Sequence, residues 1–129
     1  MEISKKNMNV LLKAQQGELD AVLMYNALAE VAKDQKDKDT FRQLAKEEGH
    51  HASVFHKLTQ TKLTPKHTKE ILLPILYKIF PRWILYSAIA QGEYAAVKNY
   101  ASVAEKFPEV ESVKKDEKRH GVTVKGLLQ

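Results

Sequence analysis

The sequence predicts an all-α chain: a four-helix bundle built from two pseudo-symmetric helical hairpins joined by a long crossover. Three observations carry this. Gly and Pro number only 5 and 4 in 129 residues, while Ala, Leu, Lys, Glu and Gln, all good helix formers, dominate. Apolar residues recur at spacings of three and four, the period of a helix with one buried face. The second half also repeats the first. Shifted by 75, Gln16, Gly17, Glu18, Ala21, Val22, Tyr25, Ala29 and Glu30 fall on identical residues at 91, 92, 93, 96, 97, 100, 104 and 105. Shifted by 69, Lys46, Glu48, His51 and Leu58 fall on Lys115, Glu117, His120 and Leu127. A duplicated hairpin places any site on the pseudo-twofold axis, with matching residues from each half.

The first helix is expected over Asn7 to Lys33, a Pro-free stretch with a stripe at Leu11, Glu18, Tyr25 and Ala32. A charged break, Asp34 to Asp39, follows, and Asp39 or Thr40 is placed to cap a second helix ending near Thr59. These form the first hairpin, residues 7–59. Residues 60–81 contain Pro65, Pro74 and Pro81, so they do not form one straight helix. They are long enough to return the chain to the other end of the bundle. A third helix begins at Arg82 or Trp83 and runs to Lys106, and Pro108 opens a fourth that ends near Leu128. These form the second hairpin, residues 82–128. The whole chain, 1–129, reads as one domain.

Composition excludes several chemistries. Cysteine is absent, which removes disulfides, thiolate nucleophiles, thiolate zinc and iron–sulfur clusters. The net charge is +5, but lysines alternate with carboxylates along the chain, which reads as a solvated surface and not as a nucleic-acid site. The N-terminus has no apolar run of signal-peptide type, so a cytoplasmic location is expected. The tract from Ile71 to Leu85 is the most apolar, yet Lys78, Arg82 and two prolines break it as a membrane span. It reads as a crossover packed on the bundle, with a homodimer contact expected on its outside and an interfacial membrane contact as the lesser alternative. Trp83 reads as a packing anchor.

The second helix stripe is Phe41, Leu44, Glu48, His51, Phe55, Leu58, and the fourth is Val110, Val113, Glu117, His120, Val124, Leu127. Each is apolar except for a Glu and a His three apart. The first and third stripes each carry one central Glu, Glu18 and Glu93. Four carboxylates and two imidazoles therefore point at one core. Burying that many carboxylates is costly unless cations compensate. Two divalent metals would do so, and oxygen ligands with one imidazole per metal suit iron or manganese. This ligand pattern is the one found in ferritin-like di-metal bundles. Glu47 and His50 have the same spacing, but their face also carries Thr40, Gln43 and Lys57, so they are expected to face water. The repeat places Asp116 and Arg119 at the equivalent positions. Glu30 and Glu105 are expected at the rim, and His56 and His67 in solvent. Tyr25 and Tyr100 lie two turns beyond Glu18 and Glu93 on the same faces, placed either as core aromatics or as hydrogen-bond donors to ligand carboxylates. Val22, Tyr25, Leu44, Phe55, Val97, Tyr100 and Val124 are the expected walls of an apolar cavity.

At Gly17-Glu18 with Tyr25, Glu48-x-x-His51-Ala52, Gly92-Glu93 with Tyr100, and Asp116-Glu117-x-x-His120, the chain resembles the rubrerythrin branch of the ferritin-like superfamily. The resemblance runs from about Leu11 to Leu127. It implies that Glu18 and Glu93 are terminal ligands, Glu48 and Glu117 bridging ligands, and His51 and His120 one imidazole for each of two irons. It implies peroxidase or ferroxidase activity with hydrogen peroxide or dioxygen. Two features depart from the family pattern. The rubredoxin-type module of full rubrerythrins is absent with its cysteines, so reduction calls for an external electron donor. The further Glu that rubrerythrins carry three residues after the third-helix ligand is Ala96. The tract from Tyr77 through Glu93 is also similar to ferritin-like domains beside membrane iron transporters. That likeness carries the alternative of a non-catalytic iron-binding or iron-delivery module.

Overall fold

The structure, a computed structural model, describes residues 2–129. Helix α1 spans Lys5–Val31, α2 Gln35–Thr59, α3 Thr68–Ile79, α4 Arg82–Ala104 and α5 Pro108–Gly126. Helices α1 and α2 form one hairpin, α4 and α5 the other, and the two pack through α1 against α4 and α2 against α5. The four expected helices are present. A fifth, α3, lies in the crossover.

Local chemistry sets the ends. Ser4 caps α1 by accepting from the Asn7 amide at 3.2 Å. At the other end of α1 the ammonium of Lys38 donates to the carbonyls of Ala29 and Glu30 at 3.0 and 3.3 Å, satisfying groups the helix leaves open. The α1–α2 turn is consequently only three residues long, from Ala32 to Asp34. The expected charged break is mostly helix: α2 begins at Gln35, not at Asp39 or Thr40. Asp37 causes the difference. It is buried, and it accepts from Arg82 at 2.7 Å and from the Tyr86 hydroxyl at 2.6 Å. The first turn of α2 is thereby bound to the first turn of α4. Gln60 ends α2 in the left-handed region at φ 54°.

The crossover then runs back along α1. Gln15 and Gln16 donate side-chain amide protons to the carbonyls of Thr61 and Thr64 at 2.8 and 2.9 Å, and Asp20 accepts from the Lys66 amide at 2.7 Å. Helix α3 includes Pro74 despite the missing amide, with Leu73, Leu76 and Tyr77 resting on the core. Trp83 is not a packing anchor. It is 64% exposed at the start of α4.

Two apolar clusters fill the bundle. One gathers Met24, Leu28, Phe41, Leu44, Leu85 and Val124. The other gathers Leu11, Phe55, Tyr100, Val103, Val110 and Val113. On every long helix the change from one cluster to the other falls at Glu18, Glu48 and His51, Glu93, or Glu117 and His120. A polar layer therefore lies between two apolar layers. No helix is long and apolar enough, among the described residues, to cross a membrane.

Candidate metal centre

The six residues singled out by helical phase come together. Two groups form: Glu18, Glu48, His51 and Glu117, and Glu48, Glu93, Glu117 and His120. Within each group one potential ligand atom per residue lies within 4.8 Å of the others, and every member is buried. Glu48 and Glu117 belong to both groups. Each group adds one Glu and one His of its own, both from a single hairpin: Glu18 and His51 from the first, Glu93 and His120 from the second.

The imidazoles face the layer through Nδ1. That atom of His51 lies 3.1 Å from Glu18, 3.0 Å from Glu48 and 3.0 Å from Glu117. That of His120 lies 3.1 Å from Glu48 and 3.3 Å from Glu117. Yet Glu48 Oε1, Glu93 Oε2, Glu117 Oε1 and His120 Nδ1 are fully buried without a hydrogen-bond partner. They lie within ion-pair range but are poorly aligned for hydrogen bonds. Buried polar atoms left this way are costly and call for a partner. A pair of divalent cations satisfies all of them, so the residues fit a di-metal site.

Protons partly offset the charge in the metal-free layer. Burial, reinforced by the neighbouring Glu48 charge, raises the Glu18 carboxyl well above its usual range. Burial raises that of Glu93 as well. Burial also opposes ionisation of Glu48, but the adjacent imidazoles of His120 and His51 outweigh it and hold this carboxyl below its ordinary value. Burial alone would lower both imidazoles. The surrounding carboxylates prevail, pushing His120 up to about 12 and His51 far above its ordinary value. Without metal, then, the layer holds imidazolium groups against carboxylates.

A second set of contacts orients the six. The Tyr25 hydroxyl donates to Glu93, and the Tyr100 hydroxyl donates to Glu18 at 2.6 Å. Each tyrosine reaches from its own hairpin to the carboxylate of the other. Burial and the adjacent carboxylates, Glu93 foremost for Tyr25 and Glu18 for Tyr100, raise both phenols, which stay protonated as donors. Of the two placements left open by the sequence, the hydrogen-bonded one holds.

Two contributors lie outside the six ligand candidates. Asp116 lies 2.9 Å from His51 Nε2, and Glu47 lies 3.0 Å from His120 Nε2. Glu47 was expected to face water, but its side chain is only 22% exposed. Burial would raise its carboxyl. Hydrogen bonds from Arg119, Gln43 and His120 prevail and lower it to about 2. The repeat held the signal, since Glu47 and Asp116 are 69 apart, the same shift that relates the ligands. The other expectations hold: Glu30, His56, His67 and Glu105 are all exposed. Glu30 is exposed and paired with Arg42 at 3.4 Å. His67 is exposed and pairs with Glu70 at 2.5 Å.

A cavity of about 390 Å³ opens onto the layer between α1, α3 and α4. Glu18, Glu48, Glu93 and Glu117 form its floor. Gly17, Ala21, Gly92 and Ala96 form its walls. Of the expected walls, Tyr25 and Tyr100 are present. Val22, Leu44, Phe55, Val97 and Val124 do not line it. The cavity opens between α1 and α4 beneath α3, where Met24, Leu73, Leu76, Leu85 and Ile89 line it beside the small residues, whereas Leu44, Phe55 and Val124 are packed in the two apolar clusters.

No curated protein and no solved structure matches the chain. The family described as Rubrerythrin matches residues 9–128. With nearly the whole chain matched and the buried carboxylate–histidine layer in place, the protein belongs to the rubrerythrin family.

Proposed function

We propose that the chain is a di-iron carboxylate oxidoreductase, oxidising ferrous iron with, or reducing, hydrogen peroxide or dioxygen. The sharing of Glu48 and Glu117 between two ligand groups carries this reading. Two separate metal sites would have no use for shared carboxylates. A ferrous pair, when bound, supplies the two electrons such an oxidant accepts, so no organic cofactor is needed. Iron is favoured over manganese by the oxidant chemistry of the family, and an external donor returns the electrons.

The residues divide the remaining work. Glu18, Glu48, Glu93 and Glu117 supply four negative charges, and His51 and His120 offer one Nδ1 lone pair each once deprotonated. Asp116 and Glu47 hold the remaining ring proton on Nε2, which fixes the tautomer with Nδ1 free. Tyr25 and Tyr100 keep the terminal carboxylates in place. The apolar layers above and below exclude water, and the cavity past Gly17 and Gly92 admits a small oxidant.

A second reading is an iron-binding or iron-delivery module with little turnover, partnering a membrane iron transporter. Ala96, on the cavity wall where rubrerythrins carry a further Glu, favours it. The test is consumption of peroxide and of dioxygen by the anaerobically loaded ferrous chain, beside Glu48→Ala. Stoichiometric consumption of either oxidant, lost in the variant, supports the oxidoreductase. Oxidation no faster than in the variant supports the delivery module.

A further inference from the structure

Exposed large apolar side chains concentrate on one short stretch. Ile71, Leu72, Ile75 and Ile79 on α3, then Phe80 and Trp83 beyond it, all face outward. Helix α3 contains no buried residue. Its inner side, Leu73, Leu76 and Tyr77, is spent on the core. The outer side is a row of aliphatic groups about 12 Å long, given 1.5 Å per residue from Ile71 to Ile79, extended by two aromatics. A patch of this kind marks an interaction surface.

Charge selects the partner. Lys62, Lys66, Lys69 and Lys78 are exposed on the same segment, and Glu70 is its one carboxylate. Arg82 is matched by Asp37 and Asp34. Thus lysines, interspersed with carboxylates along the rest of the chain, have little compensation around the apolar row. A second copy of this chain is disfavoured as occupant. A twofold contact sets the same patch against itself and brings the lysines face to face. An anionic lipid surface complements both features, taking aliphatic and aromatic groups at the headgroup boundary and lysines beside its phosphates.

We propose that α3 and the α3–α4 corner dock the protein on the surface of an anionic bilayer, with Ile71, Ile75, Ile79, Phe80 and Trp83 at the headgroup boundary and the lysines on the phosphates. The protein lies on the membrane without crossing it. Trp83, the chain's single tryptophan, reports the event directly.

The full chain is mixed with phosphatidylcholine vesicles, with and without phosphatidylglycerol, and read by Trp83 emission and co-sedimentation. The expected result is a blue shift and sedimentation with phosphatidylglycerol vesicles, reversed by salt. Lys66→Ser and Lys78→Ser each weaken partitioning about fivefold, the worth of one lysine near an anionic surface. Ile75→Ser combined with Ile79→Ser abolishes the shift. These exposed positions leave the fold intact, which circular dichroism checks. Unchanged emission and no sedimentation with either vesicle overturns the proposal. So does blue-shifted emission without lipid in a chain that sediments as a dimer, which assigns the face to a second copy.

Discussion

Tyr25 and Tyr100 tie the hairpins together at the level of single hydroxyls. Each donates to a carboxylate of the opposite half, and each phenol is held protonated by burial and adjacent carboxylate charge. Tyr100→Phe keeps the ring and removes the donor. It is expected to weaken metal binding about 10- to 100-fold, read by competition with a chromophoric chelator. Asp116→Asn, which leaves His51 Nε2 without its carboxylate, is expected to act in the same direction and range. An unchanged affinity in both variants would remove these residues from the site. The six central residues were legible because helical phase and internal repetition agree on them. Glu47 and Asp116 were not, although the repeat pairs them. Phase says where a side chain leaves its own helix, whereas their partners are imidazoles reaching across from the facing helix.

At the scale of elements, the hidden information lay in tertiary contacts. The run Asp34 to Asp39 looks like a linker because its charges ought to prefer water. It is helical because Asp37 turns inward to Arg82 and Tyr86. Helix α3 is masked by Pro74, which lowers helical expectation locally, while packing of Leu73, Leu76 and Tyr77 supports the helix from below. The four long helices were readable because each has an apolar stripe broken only by its central Glu, or Glu and His. The Asp37 contact makes its own prediction. Tyr86→Phe leaves one hydrogen bond to a buried carboxylate unmade and is expected to lower unfolding free energy by about 1–3 kcal/mol, measured by urea denaturation of the metal-free chain. A change near zero would mean that Arg82 alone satisfies Asp37.

Across the whole molecule, the pseudo-twofold stacks a charged layer between two apolar ones, and stability and metal binding become coupled. The layer is neutralised by protons or by metal, not by both. Both imidazoles have proton affinities raised well above the ordinary value, so they are charged across the neutral range in the metal-free chain. Metal must displace those protons, so apparent affinity rises with pH and protons are released on loading. Calorimetry in buffers of different ionisation enthalpy measures that release. Binding without proton release would contradict the assignment of His51 and His120 as ligands. Metal should also raise the melting temperature, by the equivalent of about 2.7 kcal/mol at a hundredfold excess over the dissociation constant, and a chelator should reverse the gain. The most direct test of the central claim is metal content per chain after anaerobic loading with ferrous iron and gel filtration, in the parent and in Glu117→Ala. Because Glu117 belongs to both ligand groups, the account predicts two irons retained by the parent and the paired site lost in the variant. No retained metal in the parent, or two irons retained in both proteins, would contradict it.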